Sequence, residues 1–550
     1  MFTSNHLASW IAAVLLTPVL VLAGNVSAIA GPKTEGGTSS IILSDLPAHG
    51  TPAYDALKAA SGATSGQMLD MTHAEMWAVP RARLEALKAK AGKAGASIIE
   101  LDASWNHMMR PMAEGQAMTA KEKDMMTDTM AQKPVMGVSM MALPESKVME
   151  YALTKGMTGA GDTAPGSELV IPITDKLTVT ARRVSVEKTA DGYIWQGTIA
   201  ETGESVTLLW WPGGRLTGTV SYKGHVYALK NMSGAMHGVV DMAPNRLPPE
   251  HAHMDAQTRQ KMNMRDDPLY SKGDASMMNP GQSGNAAPAT PQPDARELKN
   301  QQDAKPAPPK ARPVQLALTI PKPKPGAMSI TPVTITLLVA YTKKAASHYS
   351  DISKDLIALA IAQTNQSFAN SGIANVRVEL AHSYETPYAE SGSHFDQVFA
   401  FAEKNDGILD EVHGLRDQYK ADVAILIVDD DKGCGLAAKV AGGEDRAFAV
   451  VHHECAATTY SFTHEIGHII GARHDPALDD TAEPFPFGHG FVSGKNWRTM
   501  MSYEESCNGC PRLLIWSSPD IKVGKTPAGN ATANNARVIT EQAARVAGFR

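Results

Sequence analysis

The stretch THEIGHIIGARHD, residues 463–475, sets three histidines and a glutamate among small and apolar residues. Polar groups cost free energy to bury unless something takes up their lone pairs. On a helix, His464 and His468 stand one turn apart on the same face, so both imidazoles reach a single cation at about 2 Å. Glu465, next to the first of them, projects to the side where a water held by that cation would lie. Gly471 tolerates positive φ and turns the chain sharply, which brings His474 back as a third ligand. Three neutral histidines leave zinc one open position, the arrangement of a catalytic rather than a structural site. Metal coordination then offsets the cost of burial. H-E-x-x-H alone arises by accident in roughly one or two per cent of chains this long, and the added Gly471 and His474 lower that about a hundredfold.

The surroundings of the motif have an α/β rhythm. VTITLLVAYT (333–342), NVRVELAHSYE (375–385) and ADVAILIVDD (421–430) read as strands, the last apolar enough for the middle of a sheet. RAFAVVHH (446–453) reads as an edge strand. KDLIALAIAQTNQSFANSG (354–372) reads as a helix closed by Gly372, residues 394–420 as a broken helical stretch, and NARVITEQAARVAG (535–548) as a closing helix. The implied domain is a mixed sheet with helices packed against it.

His464-Glu465-Ile466-Gly467-His468-Ile469-Ile470-Gly471-Ala472-Arg473-His474 resembles the metzincin zinc-peptidase signature, and RTMMSY downstream is similar to its Met-turn, with Met501 at the matching methionine. Asp475, directly after the third histidine, resembles the reprolysin (adamalysin) branch, where the aspartate is structural. GCGLAAKV, SFTHEIGH, ARHD and CNGCPRLLIWSSPD look most similar to bacterial peptidyl-Asp endopeptidases, over roughly 331–550. The resemblance implies a metzincin-like α/β (α+β) catalytic domain: a mixed twisted sheet with an active-site helix and a Met-turn, holding one catalytic Zn2+. It implies hydrolysis of protein or peptide substrates, with Glu465 as general base and Met501 as an apolar floor beneath the imidazoles. In serralysins and astacins the tyrosine two after that methionine assists the transition state; Tyr503 stands there, and the alternative for it is the wall of the site. The segment after the Met-turn lines the pocket beyond the scissile bond in this family. Arg512 within it is read either as favouring acidic side chains or as a solvated loop charge. The glycine-rich calcium repeats of serralysins are missing, and the sequence leaves structural calcium undecided.

The 550 residues exceed one compact domain. LASWIAAVLLTPVLVLAG (7–24), followed by an A-x-A site at Ala28-Ile29-Ala30, reads as a signal peptide over 1–30, and hence a secreted or periplasmic protein with no membrane anchor after its removal. An N-terminal pro-region rich in methionine follows over 31–165, with HAEMWAVPRARLEALKAKAGKAG (73–95) helical after Pro80. Its methionines read as flexible apolar filler, or as Cu(I) ligands in a metal-handling protein. Residues 166–245 alternate in short runs between Asp-Gly, Gly-Gly and Lys-Gly turns, a β-meander. They weakly resemble the propeptides of the same family. Residues 246–330 form a linker rich in Pro, Ala, Lys and Gly, and 331–550 the catalytic domain. The expected product is a precursor whose own propeptide chaperones and inhibits the peptidase; a non-enzymatic zinc-binding adhesin that keeps the metzincin shell is the alternative. No basic block accompanies the net charge of -6, which argues against nucleic acid. No cysteine precedes Cys434, so latency by a propeptide cysteine is excluded. Export should oxidise the four cysteines, and proximity favours Cys434–Cys455 with Cys507–Cys510.

Overall fold

Period-two alternation and tight turns fold the meander into seven successive antiparallel strands: Glu168–Thr174, Leu177–Lys188, Tyr193–Ile199, Ser205–Trp211, Arg215–Tyr222, His225–Ser233 and Met236–Met242. Lys223 and Gly224 both adopt positive φ, 52° and 82°, as a two-residue hairpin turn demands. In the computed structural model, which describes residues 37–63, 66–112, 117–157, 168–250, 318–319 and 331–550, two upstream strands extend this sheet to nine. Arg110–Pro111 and Val135–Ala142 add beyond Met236–Met242, so the sheet crosses the 165/166 division expected from composition. Met108, Met109, Met141 and Met149 pack with Trp195 and Trp210 in its core, as apolar filler does. The helix expected after Pro80 is Arg81–Ala94, one of two helices beside a separate four-stranded sheet. The expected leader and most of the linker lie outside the described residues, among which no helix is long and apolar enough to cross a membrane.

The second half is built on a five-stranded sheet with the order Val376–Thr386, Val333–Thr342, Val423–Val428, Phe448–His452, Gly435–Ala437. The first four strands run parallel and the last antiparallel. Phe448–His452 is therefore internal and not the edge that its sequence suggested. Gly435–Ala437, three residues long, is too short to carry a period and takes the edge. Alternate residues of the central strands point to opposite cores. Ile335, Leu337, Val339, Ile425 and Ile427 face Phe368, Ile466, Ile469 and Ile539 of the helices Ala358–Asn370, Ser461–Ile470 and Asn535–Val546. Leu338, Ala340, Leu426 and Val428 face Phe395, Phe401 and Val412 of His394–Ala402 and Glu411–Tyr419.

The two halves meet through the strand Arg215–Tyr222. Arg215 pairs with Asp355 at 2.6 Å, Thr217 Oγ1 donates to the Asp355 carbonyl at 2.9 Å, and Gln363 Nε2 donates to Thr219 Oγ1 at 2.9 Å. Leu209 of the nine-stranded sheet joins the core around Ile466. Leu318–Thr319 pairs antiparallel with Ser518–Val523, so a piece of the expected linker also lies on the second half.

Candidate metal centre and active site

Every residue of the helix Ser461–Ile470 is buried. Gly471 ends it at φ 131°, with its N–H and that of Ala472 both donating to the Gly467 carbonyl, at 2.9 and 2.8 Å. A Cβ at Gly471 would come within 2.7 Å of the Phe485 ring, so the turn has room for glycine alone. Past it, His474 folds back under the helix.

The ligand atoms of His464, His468 and His474 all lie within 4.8 Å of one another, and the Nε2 atoms of His464 and His474 are 3.2 Å apart. Two nitrogens about 2.05 Å from one tetrahedral ion are separated by roughly 3.3 Å, so the spacing fits a shared zinc. The opposite nitrogens are committed elsewhere. His464 Nδ1 donates to the Met500 carbonyl at 3.0 Å and His468 Nδ1 to the Ala472 carbonyl at 2.9 Å. Those bonds fix the tautomer and leave Nε2 with a lone pair for metal. His489, for which the sequence offered no role, donates from Nδ1 to the His474 carbonyl at 2.9 Å and steadies the returning segment.

Met501 is fully buried against the helix: a Cβ on Gly467 would meet its Sδ at 3.0 Å and the Trp516 ring at 2.7 Å. Asp475 ties the helix exit to the Met-turn. Its carboxylate accepts from the Tyr503 N–H at 3.2 Å and from Ser506 Oγ at 2.8 Å. The Tyr503 hydroxyl is 3.0 Å from His474 Nε2, which puts the phenol at the ligand atoms themselves. Glu465 is buried beside the edge strand, where a Cβ on Gly435 would fall 2.5 Å from its Oε1. Burial pushes its carboxyl up to about 8, opposed by the Ala437 N–H and by the charge of Arg512; a neighbouring dication would pull it down again.

Disulfides join Cys434 to Cys455 and Cys507 to Cys510, the pairing that proximity favoured. The first staples the edge strand to the helix His453–Thr458, and closing a loop of that length is worth about 3 kcal/mol. Arg512 is not a solvated charge. Its side chain is 5% exposed, its Nη1 donates to the Thr459 carbonyl at 2.7 Å and its Nη2 to the Ser502 carbonyl at 3.1 Å. Arg498, unremarked in the sequence, is buried beside it with Nε on the same Ser502 carbonyl at 3.1 Å. A further group also escaped the sequence: Asp429 bridges His348 and His453 at 3.2 and 3.1 Å. Its members are too far apart in the chain to form a motif.

Converging imidazoles, an adjoining glutamate, a glycine exit and a buried Met-turn define a zinc peptidase of metzincin type. Residues 331–512 match Reprolysin_5, metallo-peptidase family M12. The peptidyl-Asp metalloendopeptidase of Xanthomonas campestris pv. campestris is 32% identical over 406 residues, spanning 71% of this chain and 84% of that protein. That of Stenotrophomonas maltophilia (strain R551-3) is 40% identical over 229 residues, 41% of this chain and 54% of that protein. That of Pseudomonas fragi is 34% identical over 190 residues, 34% of this chain and the whole of that protein. The chain belongs to metallo-peptidase family M12 and is a zinc metalloendopeptidase resembling the bacterial peptidyl-Asp enzymes. Among solved structures, metalloproteinase-II from Bacteroides fragilis aligns at 12% identity and a TM-score of 0.29, over 59% of this chain and 86% of that one. A structure of a chaperone–substrate complex aligns at 18% and 0.33, over 40% and 36%. Scores this low add nothing to the assignment.

Proposed function

We propose that the chain is the precursor of an exported endopeptidase in which His464, His468 and His474 hold the zinc and Glu465 is the general base. The observation that carries this reading is the convergence of three imidazoles, two with Nδ1 already spent on backbone carbonyls, beside a buried carboxylate. When bound, zinc supplies Lewis acidity toward the scissile carbonyl and acidity to a coordinated water. Glu465 takes the proton of the attacking water and passes it to the leaving amine. Its Oε2 has no partner among the described residues and is free for that transfer, while the Ala437 N–H steadies the carboxylate. Tyr503 donates from its hydroxyl to the oxyanion that forms on the carbonyl oxygen.

Substrates are proteins or peptides that carry an acidic side chain just beyond the scissile bond. The peptidyl-Asp name of the relatives and the buried side chains of Arg498 and Arg512 support this preference. Residues 31–245 act as a propeptide, chaperoning the catalytic domain 331–550 by docking the strand Arg215–Tyr222 on it, and processing falls in the linker 246–330, where Pro-rich chain is open to proteases. A signal peptide over 1–30 directs export. Metal analysis of the processed protein should give one zinc per chain. Glu465→Gln should keep that zinc and lose casein hydrolysis by a factor of at least a thousand; retention of wild-type turnover would remove Glu465 from the mechanism.

A further inference from the structure

Residues 248–250 lie against the domain that they precede. The Pro249 carbonyl accepts from the Cys434 N–H at 2.8 Å, at the start of the edge strand Gly435–Ala437 that flanks Glu465. The Pro248 carbonyl oxygen lies 3.2 Å from Cys434 Sγ, a packing contact, since a disulfide sulfur has no proton to give. Glu250 then turns inward. Its Oε1 is 2.5 Å from Arg498 Nη2 and 3.1 Å from Arg512 Nη2, and its Oε2 accepts from the Glu504 N–H at 3.3 Å. One carboxylate thus takes two guanidinium groups and a backbone donor, all within a pocket where the side chains of Glu250, Arg498 and Arg512 are respectively 11%, 7% and 5% exposed.

The pocket borders the metal centre. Both guanidinium groups donate to the Ser502 carbonyl, one residue before Tyr503. The Arg512 guanidinium stands 6.0 Å from the Tyr503 ring, whose hydroxyl meets His474. Two buried arginines cost several kcal/mol each when they lack a counter-charge, so this pocket selects for a carboxylate. A neutral amide of the same shape leaves both charges unmatched.

We infer that Arg498 and Arg512 form the subsite that reads the acidic side chain of a substrate, and that Glu250 fills this subsite in the unprocessed chain as an internal substrate mimic. This rests on the peptidase reading above and supplies latency where no propeptide cysteine exists. The carbonyl preceding the acidic residue is tied to the edge strand through Cys434, so the mimic delivers its side chain with that carbonyl already committed. Cleavage within the linker beyond Glu250 severs the segment from the catalytic domain and lets a diffusing acidic peptide displace it. Polar recognition of this kind discriminates strongly, because the wrong side chain strands buried charge.

The test uses the zinc-loaded full chain and two quenched peptides that differ only in Asp or Asn after the scissile bond. Glu250→Gln and Glu250→Ala should each raise hydrolysis of the Asp peptide by the unprocessed chain at least tenfold over wild type, whereas Glu250→Asp should stay within threefold. In the processed enzyme, Arg512→Gln should lower the ratio of kcat/KM for Asp over Asn at least tenfold. Should that variant fail to fold, Arg512→Lys, which keeps charge but not the two-armed geometry, should lower the ratio at least threefold. Equal rates for wild type and Glu250→Gln, or release by Glu250→Asp as great as by Glu250→Ala, would overturn the plug. An unchanged ratio in the arginine variants would overturn the subsite. Casein hydrolysis by the wild-type enzyme, lost in Glu465→Gln, separates either failure from failure of the peptidase reading.

Discussion

Acid should loosen the nine-stranded sheet through one histidine. His237, on the strand Met236–Met242, accepts the Leu216 N–H at Nε2 at 3.0 Å and donates from Nδ1 to the Ala235 carbonyl at 2.9 Å. Asn231 Nδ2 also lies 3.1 Å from the same Nε2. Both nitrogens are committed in the neutral tautomer, and a proton on Nε2 would face another N–H. Burial, helped by the nearby charge of Arg215, holds the imidazole down to about 4 from its ordinary 6.5. The unfolded chain therefore binds a proton that the folded chain refuses between those values. Stability from this group is intact above pH 6.5, falls as pH drops below it, and levels off below about 4. At about 1.4 kcal/mol per tenfold difference the loss reaches ~3 kcal/mol, or roughly 6–12 °C in Tm for a domain of this size. Leu216 sits between Arg215 and Thr217, the residues that dock on Asp355, so the loss falls on the strand joining the two halves. Thermal melts of the full chain from pH 7.5 to 4.5, compared with those of His237→Gln, isolate the effect. Glutamine offers Leu216 an acceptor and does not titrate. About 2.5 kcal/mol of that loss has accrued by pH 4.5, so wild type should lose roughly 5–10 °C more than the variant across that range; parallel profiles would refute the assignment of the proton to His237.

Gly471→Ala forces a side chain onto a backbone at φ 131° and against Phe485, which should cost about 2 kcal/mol or more. Zinc affinity, read by competition with a chromophoric chelator, should fall with it as His474 shifts. Gly435→Ala places a methyl within 2.5 Å of Glu465 Oε1, the movable end of a side chain. Tm should change by only a few degrees while kcat drops at least tenfold, and an unchanged kcat would count against Glu465 as base. Removing zinc with 1,10-phenanthroline should abolish peptide hydrolysis, and restoring zinc should recover it. At free zinc a thousandfold above Kd, linkage predicts about 4 kcal/mol of stabilisation, readable as a Tm difference between metal-free and zinc-loaded chain.

Where periodicity was sustained, the sequence located elements closely. Residues 333–342 form the strand Val333–Thr342 and residues 535–548 contain the helix Asn535–Val546, because runs of that length show a period of two or near four. The alternating segments of 168–240 all became strands for the same reason. The order of strands was less legible. Phe448–His452 has the composition of an edge strand and is flanked on both sides, since a three-residue neighbour leaves no pattern. Composition also drew a division at 165/166 that hydrogen bonding ignores, as Val135–Ala142 pairs along its length with Met236–Met242.

The site divides along the same line, between what one helix carries and what only folding assembles. His464, Glu465, His468, Gly471 and His474 lie within eleven residues, and the pitch of one helix with the glycine turn that ends it fixes their relation. Met501, Tyr503 and Asp475 were legible only through resemblance, because their roles depend on a turn packing beneath that helix. Glu250 was not legible at all. A glutamate after two prolines at the head of a polar linker carries no mark of function, and Arg498 none beyond its charge. What distinguishes them is mutual burial: two guanidinium groups and one carboxylate leave water together across a separation of about 250 residues. Such a cluster persists only if each charge answers another, so removing Glu250 leaves the arginines to recruit a new carboxylate. In an enzyme whose substrates carry one, the same physical demand that holds the precursor shut would draw the substrate in.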